Sequence, residues 1–261
     1  MRTTDRCAMT RTVAKHVHVE HVMGTAVTFD IRGDDPAADA VAAAVTWLRR
    51  VDAEFSTYSA DSAVCRYDRG ELVLGDVSAD LRSIIGRCAQ LRQETGGFYD
   101  AYANGPFDPS ALVKGWAVQR AADGLRAAGV DDFCINAGGD VVAHGRPAPG
   151  RSWRIGIRHP HDPRALARVV EAREELAVAT SALYERGDHI VDPYSGRAPD
   201  GVLSVTVAGP DLGTADAYAT AAFAMGTAGP EWTLGLDGYE AMTILTGETV
   251  LTTPGFPAVT A

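Results

Sequence analysis

Asp216 and Thr220 stand four residues apart in Ala215-Asp-Ala-Tyr-Ala-Thr-Ala-Ala-Phe-Ala-Met-Gly, a spacing that puts both on one face of a helix. A carboxylate beside a hydroxyl suits a hard cation such as Mg2+, which keeps several waters and takes phosphate oxygens as further ligands. Two ligands are not a cage, and an N-cap Asp with a core Thr gives the same pattern. Lys114 lies in Asp108-Pro-Ser-Ala-Leu-Val-Lys-Gly-Trp-Ala-Val and is, with Lys15, one of two lysines among 24 basic residues. Next to a helix start, its ammonium and the first free N–H groups can share one phosphate. A solvated surface lysine is the other reading. His189 lies between Asp188 and Asp192, which could orient its ring and raise its basicity. On these residues alone, a loop histidine with a local hydrogen bond is the simpler account. The paired glycines of Asn136-Ala-Gly-Gly-Asp permit close approach to a ligand, and they equally suit a tight hairpin. Phe55-Ser-Thr-Tyr-Ser and Thr95-Gly-Gly-Phe-Tyr-Asp set aromatics beside polar groups, fit either to stack on a flat ring or to fill a core.

These residues need a scaffold, and the hydrophobic pattern supplies one. Residues 16–32 alternate as a strand pair around a Gly24 turn. Asp34-Asp35-Pro36 is expected to cap a helix reaching Phe55, with Val41, Ala44, Val45, Leu48 and Val51 on its buried face. A second helix is expected over Leu81–Thr95, stopped by Gly96-Gly97, and a third from about Gly115 to Ala128. Strands are expected at 132–135, 141–144, 153–157, 175–179 and 202–208. A helix over 215–225 and a closing hairpin around Gly247 complete the chain. Strands arrive in groups rather than alternating with helices, so the fold class is α+β, with mixed sheets and packed helices. Residues 1–15 are expected to form a flexible tail, and 16–261 one compact domain.

Composition narrows the function. The 261 residues carry a formal charge of −10, which argues against nucleic acid and against anionic membranes as partners. No run approaches the roughly 18–20 apolar residues of a membrane span, and residues 1–15 lack the apolar core of a secretory signal. Cys7, Cys65, Cys88 and Cys134 are widely spaced, without a CxxC pair, as expected of reduced thiols in the cytoplasm.

Taken together, these segments follow a known order. The chain resembles the ApbE family over roughly residues 22–226. The match is carried by Met23-Gly-Thr, Phe55-Ser-Thr-Tyr, Gly97-Phe-Tyr-Asp, Val113-Lys-Gly-Trp-Ala-Val, Ile135-Asn-Ala-Gly-Gly-Asp, Thr180-Ser, His189-Ile-Val-Asp-Pro and Ala215-Asp-Ala-Tyr-Ala-Thr. The family's Gly-Ala-Phe-Asp is Gly97-Phe98-Tyr99-Asp100 here, and its Asp-Leu-Gly-Gly-Ile-Ala-Lys runs Asp108 to Lys114 as Asp-Pro-Ser-Ala-Leu-Val-Lys. Its Thr-Ser-Gly is Thr180-Ser181-Ala182.

The resemblance implies Mg2+-dependent transfer of FMN from FAD to a threonine hydroxyl of an acceptor flavoprotein, with AMP leaving. It implies that Met23 lies against the cofactor, that Tyr58 stacks on the isoalloxazine, and that Phe98, Tyr99, Asp100, Asp108, Lys114 and Ile190 border the FAD. The metal ligands implied are Asp216, Thr220 and backbone carbonyls at Ala111 and Ala219, and the histidine needed for transfer is His189. Two rivals remain at this point: Mg2+-dependent hydrolysis of FAD to FMN and AMP, and FAD binding without chemistry.

Overall fold

The computed structural model describes residues 13–182 and 190–259. Its centre is an antiparallel sheet. Strands β1 (Lys15–Val22), β2 (Thr25–Arg32), β3 (Phe133–Ala137), β4 (Asp140–His144), β7 (Glu175–Ala182), β8 (Val202–Gly209), β9 (Glu240–Leu245) and β10 (Val250–Thr252) pair in that order. The excursion between β4 and β7 is a separate hairpin of β5 (Trp153–Arg158) and β6 (Leu166–Ala172).

Alternation in the strands sorts the two faces. Val27, Phe29 and Ile31 of β2 join Phe133 and Ile135 of β3 in the main core, under the helices. Val141, Val178, Ala208, Met242 and Ile244 point the opposite way and bury Trp153, Ile155 and Ile157 of the β5–β6 hairpin. β8 is covered on both sides, so seven of its eight residues are buried, Ser204 and Thr206 included, and it shows no in–out alternation. The expected α+β class is the observed one.

The helices are α1 (Ala38–Phe55), α2 (Ala63–Asp68), α3 (Ala79–Glu94), α4 (Ser110–Ala127), α5 (Leu212–Ala224) and α6 (Gly229–Thr233). α1 buries the stripe predicted for it, with Trp47 Nε1 donating to the Ala117 carbonyl of α4 at 2.9 Å. Its cap differs from expectation. Ala37, in the left-handed region at φ 51°, is the N-cap, and the Asp35 carboxylate instead accepts the Ala37 N–H at 2.8 Å in a local turn. α3 fits its prediction and ends where Gly96 and Gly97 take positive φ, 60° and 90°.

α4 starts at Ser110, well before the expected Gly115. Asp108 and Pro109 open it, with the Asp108 carboxylate accepting the Ser110 N–H at 2.9 Å. Gly115 suggested a helix start because glycine is a poor helix former, yet its role is packing. A Cβ on Gly115 would meet the Leu212 carbonyl oxygen at 2.5 Å, and one on Gly213 would meet the Trp116 backbone at 3.1 Å. These two glycines let α4 and α5 cross almost backbone to backbone. The helices α2 and α6 and the strand β6 have no counterpart in the sequence-based expectation; Leu166–Ala172, with Arg168 and Glu171 around the adjacent Val169 and Val170, lacks the strict polar–apolar alternation that marks a strand.

Candidate functional site

One end of the sheet gathers the β1–β2 turn, the β3–β4 turn and the end of β7. Gly138 takes φ 60° there, and a Cβ on it would meet Thr25 Oγ1 at 2.6 Å. The turn is held by Asn136 Oδ1, which accepts the Gly139 N–H at 3.0 Å. Between this end and the N-terminal halves of α4 and α5 lies a cavity of about 610 Å3, a size typical of small-ligand sites.

Most of the sequence-assigned residues line it. α4 contributes Ala111 and Lys114, one turn apart, and α5 contributes Asp216 and Thr220, also one turn apart. The segment after α3 contributes Phe98, Tyr99 and Asp100, and the loop before α4 contributes Asp108. Tyr58 lies at the mouth with its side chain almost fully exposed, and Ile190 closes another side.

The charged centre has three members. Lys114 Nζ forms ion pairs with Asp140 Oδ2 and, at 3.1 Å, with Asp216 Oδ2. Asp140 is 1% exposed and Asp216 4% exposed, so solvent screens neither carboxylate appreciably. Asp140 Oδ1 also accepts the Thr180 N–H at 3.2 Å, which ties β4 to β7. Thr220 Oγ1 lies 3.2 Å from Ser181 Oγ. The N-cap of α5 is Asp211, whose carboxylate accepts the Thr214 N–H at 2.7 Å, so Asp216 is not a capping residue. Lys114 lies in the second turn of α4 rather than beside its start, and it meets carboxylates rather than free N–H groups.

An aromatic wall faces this centre. Phe98 packs edge-on against Tyr194, with centroids 5.2 Å apart and planes at 60°. The Tyr194 hydroxyl donates to the Gly96 carbonyl, and it sits where a Gly97 Cβ would be, at 2.6 Å. Gly97 is therefore required twice, for its φ of 90° and for the space Tyr194 takes. Tyr99 turns its ring into the core, 3.5 Å from Cys88 Sγ. Burial holds the Tyr99 hydroxyl well above its usual range and pushes the Cys88 thiol up to about 11. Asp100 accepts from Arg92 Nε at 3.0 Å, and Asp108 serves the start of α4.

Two of the described assigned residues do not line this cavity. Met23, at φ 54° in the β1–β2 turn, packs against the main core, while its neighbours Gly24 and Thr25 line the cavity. Ala219 is fully buried within α5. His189 lies outside the described residues. Asp140, Ser181 and Arg158 belong to the site without having been assigned a role. For Asp140 the signal was an acid directly after paired glycines and before two buried valines; Arg158 carries no local signal.

The family model for ApbE matches residues 23–105 and 101–243. An FAD:protein FMN transferase of Vibrio cholerae serotype O1 is 36% identical over 129 residues, covering 46% of this chain. The chain spans only 38% of that relative's length. Among solved structures, the flavin transferase ApbE from Vibrio cholerae superimposes with a TM-score of 0.83 at 21% identity, over 95% of this chain and 100% of the other. The ApbE protein from Thermotoga maritima gives 0.80 at 23% identity, over 92% and 97%. No described helix is long and apolar enough to cross a membrane. With the family model covering most of the sequence and the same fold in both structures, the chain belongs to the ApbE family.

Proposed function

We propose that this chain is an FAD:protein FMN transferase, moving FMN from FAD to a threonine hydroxyl of an acceptor flavoprotein and releasing AMP. The observation that carries this reading is the convergence of Lys114, Asp216 and Thr220 with the Tyr58 and Phe98 aromatics in one cavity. Relatives bearing that activity in their names support it.

The residues fit a hard divalent cation. Asp216 and Thr220 present oxygen donors one helical turn apart, and the carboxylate of Asp216 is buried at the cavity wall. Among the described residues no group of three or more His, Cys, Asp or Glu side chains could hold a metal, so carbonyls, water or substrate would complete the shell. Asp216 and Thr220 would hold Mg2+, together with backbone carbonyls at Ala111 and Ala219. A bound cation of this kind neutralises charge on a pyrophosphate as a Lewis acid.

The protein's own groups do the rest. Tyr58 and Phe98 flank the flavin side of the substrate, Ile190 borders it, Tyr99 and Met23 back these walls from the core, and Asp100 and Asp108 fix the segments that carry them. Lys114 offers its ammonium to phosphate oxygens, where negative charge grows as AMP departs. The acceptor threonine Oγ bonds to the FMN-side phosphorus as the bond from that phosphorus to the bridging oxygen breaks. AMP leaves with the bridging oxygen and its electron pair, and the threonine proton passes to His189 as general base. Residues 16–261 form the transferase domain, and Lys15, expected in a tail, already pairs with Arg32 in β1. The free thiols of Cys65, Cys88 and Cys134 support a cytoplasmic location.

The test is incubation with FAD, Mg2+ and a candidate threonine-bearing acceptor, following AMP by chromatography and covalent flavin by in-gel fluorescence. Both products are expected. AMP without covalent flavin would identify a hydrolase, and neither product despite FAD binding would leave only a binding protein. His189→Ala should keep FAD binding and lose transfer.

A further inference from the structure

Asp140 has no place in the chemistry described so far, yet it is the most deeply buried acid among the described residues. It lies behind the cavity wall, while Lys114 and Asp216 are part of that wall. One oxygen is held by the Thr180 N–H and the other by Lys114. A carboxylate this dry is tolerable only when its charge is matched. Asp216 also reaches Lys114, at 3.1 Å, and faces the cavity one turn from Thr220. Lys114 therefore bridges two carboxylates, one behind the wall and one on it.

We propose that Asp140 is the fixed anchor of Lys114, and that the Lys114 ammonium is a resident counter-ion on Asp216 which a divalent cation displaces. The inference rests on the assignment of that cation to Asp216 and Thr220. A dication beside Asp216 repels an ammonium held on the same carboxylate, so the two compete for it. Asp140 keeps its own claim on Lys114, and the flexible four-carbon stem lets the freed ammonium turn toward the cavity, where an anionic substrate lies. Asp140 is thus a positioning residue, acting through Lys114. The arrangement couples the steps: the ammonium becomes available for phosphate when the metal arrives.

Mn2+ binding to the FAD-free protein, followed by electron paramagnetic resonance of free Mn2+ up to millimolar concentration, tests this directly. Lys114→Met removes the competitor and is expected to tighten Mn2+ at least ten-fold. Asp140→Asn releases Lys114 to pair fully with Asp216 and is expected to weaken Mn2+ at least ten-fold. A purely structural defect would weaken both variants, so opposite directions are the signature. If Lys114→Met binds no more tightly than the wild type, or Asp140→Asn no more weakly, the exchange is overturned. If Lys114→Met does not fold alone, its recovery of native circular dichroism on Mn2+ addition is expected, and failure to recover counts against the proposal. Asp216→Asn separates the two readings: wild-type Mn2+ affinity in that variant removes the metal site itself, whereas loss of binding there leaves the site standing whatever Lys114→Met shows.

Discussion

Lys114 Nζ lies 3.1 Å from Asp216 Oδ2 across the seam where α4 and α5 meet through Gly115 and Gly213. Each residue belongs to a different helix, and each is adjacent to, or one turn from, the glycine that permits the contact. The charged centre and this close helix crossing are one structural unit, and the first two predictions address its two halves.

Asp216→Ala removes a buried carboxylate, the principal ligand of the proposed cation. Mg2+-dependent release of AMP from FAD should fall about 100-fold or more, the scale of losing several kcal/mol of charge stabilisation. Steady-state AMP assays across a Mg2+ titration measure it, and an unchanged rate would remove Asp216 from the site.

Gly115→Ala inserts a methyl group 2.5 Å from the Leu212 carbonyl oxygen, a backbone atom that cannot rotate away. The helices must separate, at a cost of about 1–3 kcal/mol by the usual penalty for overpacking. Urea denaturation should show the loss, with turnover falling alongside it because Lys114 and Asp216 move apart. Wild-type stability in this variant would mean that α4 and α5 do not approach as described.

Tyr194→Phe deletes the hydrogen bond to the Gly96 carbonyl while keeping the ring against Phe98. A net hydrogen bond is worth about 0.5–1.5 kcal/mol, so FAD affinity should weaken roughly 2- to 12-fold. Gly97→Ala should do more damage, since it combines a strained positive φ with a clash at the same hydroxyl. Flavin fluorescence titrations rank the two; an order reversed from this one would place the Tyr194 contact outside the binding wall.

Alkaline pH should destabilise the fold in a definite window. Burial raises the Cys88 thiol from 9.0 to about 11 and the Cys134 thiol from 9.0 to about 12. Below pH 9 both states keep these protons and the contribution is fully present. Above it the unfolded chain releases protons that the folded chain retains, so stability falls as pH rises toward the folded values. Each such thiol adds a slope of about 1.4 kcal/mol per pH unit within its window. Denaturation curves from pH 8 to 11 should show the decline, and Cys88→Ala should flatten it between pH 9 and 11. A slope identical to the wild type would mean that Cys88 is not buried as a thiol.

The fold was legible where side-chain periodicity is set by burial on one face. The α1 stripe ending at Phe55, the alternation of Val27, Phe29 and Ile31, and the hairpin at Gly247 were all visible as pattern. The start of α4 was not, because Gly115 serves a contact with Leu212, a residue remote in sequence. The site was legible to the extent that its residues recur in a family order, and most of those assigned residues do share one cavity. Asp140 was visible only as the acid after the paired glycines; that it shares an ammonium with Asp216 is a relation no local spacing encodes. Tyr194 was hidden similarly, since its partner is the Gly96 carbonyl at the end of α3.

The glycine seam has a consequence for how this protein can vary. Because Gly115 adjoins Lys114 and Gly213 precedes Asp216 by less than one helical turn, the closest approach of the two helices acts as a ruler for the distance between the opposite charges. A change elsewhere in the core can be absorbed by neighbouring side chains. A change at the seam is transmitted through rigid backbone to the ion pair with no intermediary, so variation near the α4–α5 contact should silence the chemistry before it unravels the fold.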